Sequence, residues 1–119
     1  MASPIGGLIT ALKILDGLTD ANIHGMRSQI VPPAVVIRPD EAWMEPDRYC
    51  DSLDRYVAVA TVSASTADEG VEKLHTMVVA IRDNLPDGWD WSSVGSPIID
   101  ETTGTAFLVA PVRLTFKGA

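Results

Sequence analysis

Two stretches of this chain, residues 55–63 and 105–116, read as strands with apolar side chains on both faces, and only two helical patterns are available to cover them. In the second stretch Ala106, Leu108, Ala110, Val112, Leu114 and Phe116 fall on one face, while Phe107 and Val109 fall on the other. Successive strand side chains point to opposite sides of a sheet, so both sides are apolar. Two helices cover one face of a small sheet. The second face, marked by Val57, Val59, Phe107 and Val109, needs another cover, either a long loop or a second copy of the chain. Burying a Val- or Phe-sized side chain is worth about 1.5–3 kcal/mol, so the pattern points to assembly.

The helices are legible from spacing. Ser3-Pro4 opens the first, with serine as cap and proline at the first helical position. Ile5, Leu8, Ile9, Leu12 and Leu15 then give one apolar face, and Gly17 is the stop. Thr66-Ala67-Asp68-Glu69 fits a capping box for the second helix, which runs to about Leu85 with Val71, Leu74, Val78, Ile81 and Leu85 as its buried stripe. Pro86-Asp87-Gly88 breaks it.

Between the helices, residues 34–38 form an extended segment that Pro39 ends. Residues 18–32 fit no single element. Residues 89–100 read as a strand interrupted at Gly95 and Pro97, hence bulged or at an edge. Residues 101–104 form a hairpin turn into the last strand. The expected fold is therefore α/β in the α+β sense, a single domain over residues 1–119. It has a mostly antiparallel or mixed four-stranded sheet, two helices on one face, and the order α-β-β-α-β-β.

Residues 40–54 show neither a strand nor a helix period, and a structureless loop of that length is uncommon in a compact domain unless it is functional or disordered. Asp40, Glu41, Glu45 and Asp47 make it the densest acidic cluster of the chain. It lacks the turn glycine of a calcium loop, so a solvated acidic loop is the plain reading. Trp43 and Met44 add a sharper one, a docking loop with an apolar anchor ringed by charge, because tryptophan is rich in interface energy.

No catalytic or metal-binding constellation stands out. His24 and His75 are far apart and outside any zinc spacing, and read as structural or surface histidines. Cys50, the single cysteine, is flanked by Asp51, which raises rather than lowers a thiol pKa. Serines occur without a nucleophile elbow, and Gly6-Gly7 lacks the rest of a phosphate-cradling loop. The chain is expected to be no enzyme and to need no cofactor or metal. Its net charge of −7 and pI near 4.5 argue against gripping phosphate backbones or an anionic membrane. One cysteine fits a reducing cytoplasm.

Taken together, the order and texture of the segments resemble the tail terminator proteins of long, non-contractile-tailed bacteriophages. The likeness rests on the short N-terminal helix, the strand Pro-Pro-Ala-Val-Val-Ile-Arg-Pro at 32–39, and the strand Tyr-Val-Ala-Val-Ala-Thr-Val at 56–62. It extends to the helix start Ala-Asp-Glu-Gly-Val-Glu-Lys-Leu at 67–74 and the closing segment Gly-Thr-Ala-Phe-Leu-Val-Ala-Pro-Val-Arg-Leu-Thr-Phe at 104–116. It covers essentially all 119 residues and carries over no individual residue role.

The resemblance implies a homo-hexameric ring at the head-proximal end of the tail tube. Such a ring ends tube polymerisation and joins the tail to the head connector. The implied partners are further copies of the chain, the tail tube protein and the connector protein. Genomic DNA would pass through the lumen without specific binding, helped by the roughly forty negative charges of six copies. The implied location is the virion tail or neck, and the host cytoplasm during assembly, with no membrane involved. Two alternatives stand beside it: a head-tail connector or head-completion protein, and a small α/β ligand-binding regulatory domain. On this reading the assembly interface comprises Asp40, Glu41, Trp43, Met44, Glu45, Asp47, Val57, Val59, Phe107 and Val109.

Overall fold

The structure is a computed structural model and describes residues 4–15, 18, 21–25, 32–46, 52–63, 67–100 and 106–117. Helix α1 spans Pro4–Leu12 and helix α2 spans Ala67–Asp83. The strands are β1 (Asn22–His24), β2 (Ala34–Pro46), β3 (Ser52–Ser63), β4 (Trp89–Val94), β5 (Ile98–Asp100) and β6 (Phe107–Lys117). The fold is α+β, with two helices and a mixed sheet.

The expected four-stranded sheet and its order are corrected. Among the described residues the sheet has six strands and the chain order is α-β-β-β-α-β-β-β. Across the sheet the strands run β1-β2-β3-β6-β4, with β5 also on β6. β1 is parallel to β2, and every other pairing is antiparallel. β4 lies against residues 112–116 of β6 and β5 against 107–109, so together they make one interrupted edge. At the interruption Gly95 N–H donates to the Pro111 carbonyl at 2.8 Å.

The two helices share one face, as their apolar spacing implied. Leu8 and Leu12 of α1 join Leu74, Met77 and Ile81 of α2 in one buried cluster with Val35, Ile37, Ala58, Ala60, Val62, Leu108, Ala110, Val112 and Leu114. These strand residues all carry the parity of one sheet face, and β6 alternates between buried and half-buried positions along most of its length. The helix lies close to β6: a Cβ on Gly70 would sit 3.0 Å from Leu108 Cδ2.

Val71 was expected in the buried stripe and is instead 44% exposed. The helix packs through Gly70, Leu74, Met77 and Ile81, and Val71 lies one residue, about 100° of helix rotation, off that line. The glycine lets the stripe shift, because the helix can approach the sheet there.

Beyond the C-terminal end of α2 an aromatic group closes the same face. Trp89 packs between Tyr56 and Phe116, with ring centroids 5.4 and 4.9 Å away. Gly88 makes the turn into β4 with φ of +89°, and a Cβ there would lie 3.0 Å from the Phe116 ring. Glycine adopts this backbone conformation without steric cost.

The expectation of a loop over 40–54 is also corrected. Residues 40–46 continue β2 and 52–54 begin β3, with Met44, Glu45 and Pro46 paired to Asp54, Leu53 and Ser52. The register shifts between Pro39 and Met44, which erases the period of two from the sequence. Pro39 does not end the strand. β1 pairs only with Ala34, Val35 and Val36, so beyond them β2 is an edge among the described residues, where a sheet tolerates proline. Cys50, Thr66, the turn at 101–104 and Gly17 lie outside the described residues.

Candidate assembly interface

The sheet face away from the helices is organised by register into two halves. One end carries Ala34, Thr61, Val109 and Ile98 in one row across the strands, then Val36, Val59 and Pro111 in the next. The other end carries Arg38, Val57, Arg113 and Ser93 in a row, followed by Arg55, Thr115 and Asp90. Lys117 follows Thr115 by one more alternation of β6. Four of the nine Lys and Arg residues of an acidic chain thus gather at one end of one face.

The four apolar residues expected to need a cover do not share one environment. Val57 is only 1% exposed, so it belongs to the interior of the subunit and is withdrawn from the interface. It lies between Arg38 and Arg113 in register, and long arginine stems screen an apolar neighbour while the charged ends stay wet. Val59, Phe107 and Val109 are half-buried. The dry interior of this face extends to Ala34, Val36, Thr61 and His24. His24 Nδ1 donates to the Gly25 carbonyl at 2.7 Å, a structural role on β1.

The acidic segment does not act as a unit either. Asp40 turns to its own subunit and pairs with Arg113 at 3.0 Å. Glu41 and Glu45 lie in β2, and Asp47 lies outside the described residues. Trp43 and Met44 are 46% and 59% exposed on the β2 arm, as an anchor for another surface requires.

The interrupted edge strand expected over residues 89–100 is β4 and β5, but the sequence reading did not single out its apolar side chains as a contact surface. Trp91, Val94, Ile98 and Ile99 are all exposed there. Apolar Ile98-Ile99 directly after Pro97 was the available signal, since proline already marked the segment as an edge. Arg82 of α2 stacks over Trp91 at 5.7 Å and pairs with Asp83 at 2.8 Å. The hydrogen bond from Arg82 holds the Asp83 carboxyl below its ordinary range, and the same bond raises the Arg82 guanidinium. Of the exposed apolar groups, Trp43 and Met44 lie near the start of β3 and Ile98 and Ile99 near its end, while Trp91 and Val94 lie along β4 and Ile14 and Val71 are exposed on the helix layer.

Other chemistry is sparse among the described residues. No group of His, Cys, Asp and Glu there has the geometry to hold a metal ion. A cleft lined by Pro32, Pro33, Ser63, Glu69, Gly70 and Lys73 holds about 210 Å³. Small-molecule sites typically occupy about 300–1,000 Å³. No protein-family model matches the chain, and no curated protein matches it.

Proposed function

We propose that this chain is a structural phage protein that forms a ring at the head-proximal end of the tail tube, ends tube polymerisation and joins the tail to the head connector. The observation that supports this reading most is the placement of exposed apolar side chains at opposite ends of the sheet, Trp43 and Met44 against Ile98 and Ile99. Contiguous exposed apolar groups mark contact surfaces. Two distinct ones on a small subunit suit a protein that meets neighbours on more than one side. The half-buried Val59, Phe107 and Val109 on the helix-free face add a third surface of the same kind. Ring formation from such a subunit follows when head-to-tail contacts close.

The test is to add the purified chain to polymerising tail tube protein and measure tube lengths by electron microscopy. Capping predicts shorter tubes, each with a six-fold ring at one end, that then bind connector. Unchanged tube lengths with no bound ring overturn the reading. Binding to connector alone, without tube, assigns the chain to head completion instead.

A further inference from the structure

The total charge of −7 conceals a division between the two sides of the molecule. On the helix-free face Arg38 and Lys117 are exposed, Arg55 lies in the adjacent row and Arg113 is half-exposed. Asp40 pairs with Arg113 and Asp90 shares the Arg55 row, so among the described residues the four cations outnumber the two carboxylates. On the opposite side, Glu69, Glu72, Thr76, Val79 and Asp83 recur along α2 at spacings that fall on one stripe. That stripe lies opposite Gly70, Leu74, Met77 and Ile81, which pack on the sheet, so it is the outer surface of the helix layer. Its own ionisable groups are the exposed carboxylates Glu69, Glu72 and Asp83, with Lys73 and His75 exposed at its borders and Asp83 already paired with Arg82.

We propose that the cationic end of the sheet face in one copy docks on the carboxylate stripe of α2 in a second copy. Opposite potentials on two surfaces of one chain steer and register such a contact. A protein surface fits better than a phosphate backbone for two reasons. The cationic rows continue directly into half-buried Val59, Pro111 and Val109, and the carboxylate stripe includes half-buried Val79, so each surface is amphipathic. Arg113 also already receives a carboxylate, that of Asp40, through two hydrogen bonds.

The geometry also dictates the symmetry. The two surfaces lie on opposite sides of a two-layer molecule, so one partner cannot satisfy both. The contact is heterologous, and each copy keeps one open surface until a ring closes. The inference deepens the ring reading by naming its subunit contact, and it shares with that reading only the need for self-association.

Sedimentation velocity of the purified chain at about 50 and 500 mM salt tests it, using Arg38→Glu, Glu72→Arg and the double variant. Circular dichroism checks folding, and Lys117→Glu replaces Arg38→Glu if that variant does not fold. Wild type should associate beyond a dimer at low salt and dissociate at high salt. Each single reversal should weaken association at least about tenfold, and the double variant should recover it. A wild type monomeric at both salts, or association indifferent to the reversals, overturns the contact. Duplex DNA binding that is lost in Arg38→Glu while association is unchanged assigns the cations to phosphate and also overturns it. Rings that ignore these substitutions yet cap tubes sink this contact alone, whereas charge-dependent rings that fail to cap tubes sink the terminator reading alone.

Discussion

Arg113 reaches across the sheet to Asp40: its Nη1 donates to both carboxylate oxygens, at 3.0 and 3.1 Å. Arg113 is on β6 and Asp40 on β2, and β3 lies between them, so the pair bridges a strand that neither residue belongs to. The Asp40 side chain is 14% exposed and that of Arg113 is 49% exposed, so water and salt screen the pair only in part. A double-mutant cycle with Arg113→Ala and Asp40→Ala should give a coupling of about 0.5–1.5 kcal/mol by urea unfolding, falling at high salt. A coupling of zero at low salt would show that the bridge does not stabilise the subunit.

Val57 and Val59 separate subunit core from subunit surface two residues apart on one strand face. Val57→Ala should cost about 2 kcal/mol, read as a lower urea midpoint with an unchanged slope. Val59→Asp should leave a folded subunit that stays monomeric with tail tubes present. Unfolding of Val59→Asp would instead return that position to the core.

Trp43 and Met44 extend from the β2 arm without burying most of their surface. Replacing either with serine should change stability by less than about 0.5 kcal/mol, the usual range for exposed positions. The same variants should fail to shorten tail tubes in the capping assay. Normal capping by the double variant would remove the arm from the interface.

Gly88 combines a positive φ with a neighbouring Phe116 ring. Gly88→Ala should destabilise the fold by about 1–3 kcal/mol through backbone strain and ring displacement, measured by thermal unfolding. A neutral substitution would mean that the turn relaxes to a negative φ without disturbing the aromatic group.

Leu74 sits at the centre of the helix contact with the sheet and is almost free of solvent. Leu74→Ala should cost about 2–5 kcal/mol, depending on how far the site collapses. A loss well below that range would show α2 to be loosely packed.

Periodicity alone placed both helices, the long strands β3 and β6, and the face of β6 that the helices cover, although α1 ends at Leu12 and not near Leu15. These segments are buried on at least one side, and burial writes a period of 3.6 or 2 into the residues. The same signal was absent over residues 40–46, so the strand that carries Trp43 and Met44 reads as a loop. An edge arm with a register shift is held by backbone pairing to β3 and has no continuous apolar face to leave a period. Residues 22–24 were equally silent, because a three-residue parallel strand takes its stability from β2 and not from its own pattern. Only the tertiary structure separated Val57 from Val59, since burial there depends on what lies across the neighbouring strands. It alone gathered Arg38, Arg55, Arg113 and Lys117, which stand up to 79 positions apart in the chain. Hydrogen-bond register between strands sets that proximity, and register is a property of paired backbones that no single segment contains.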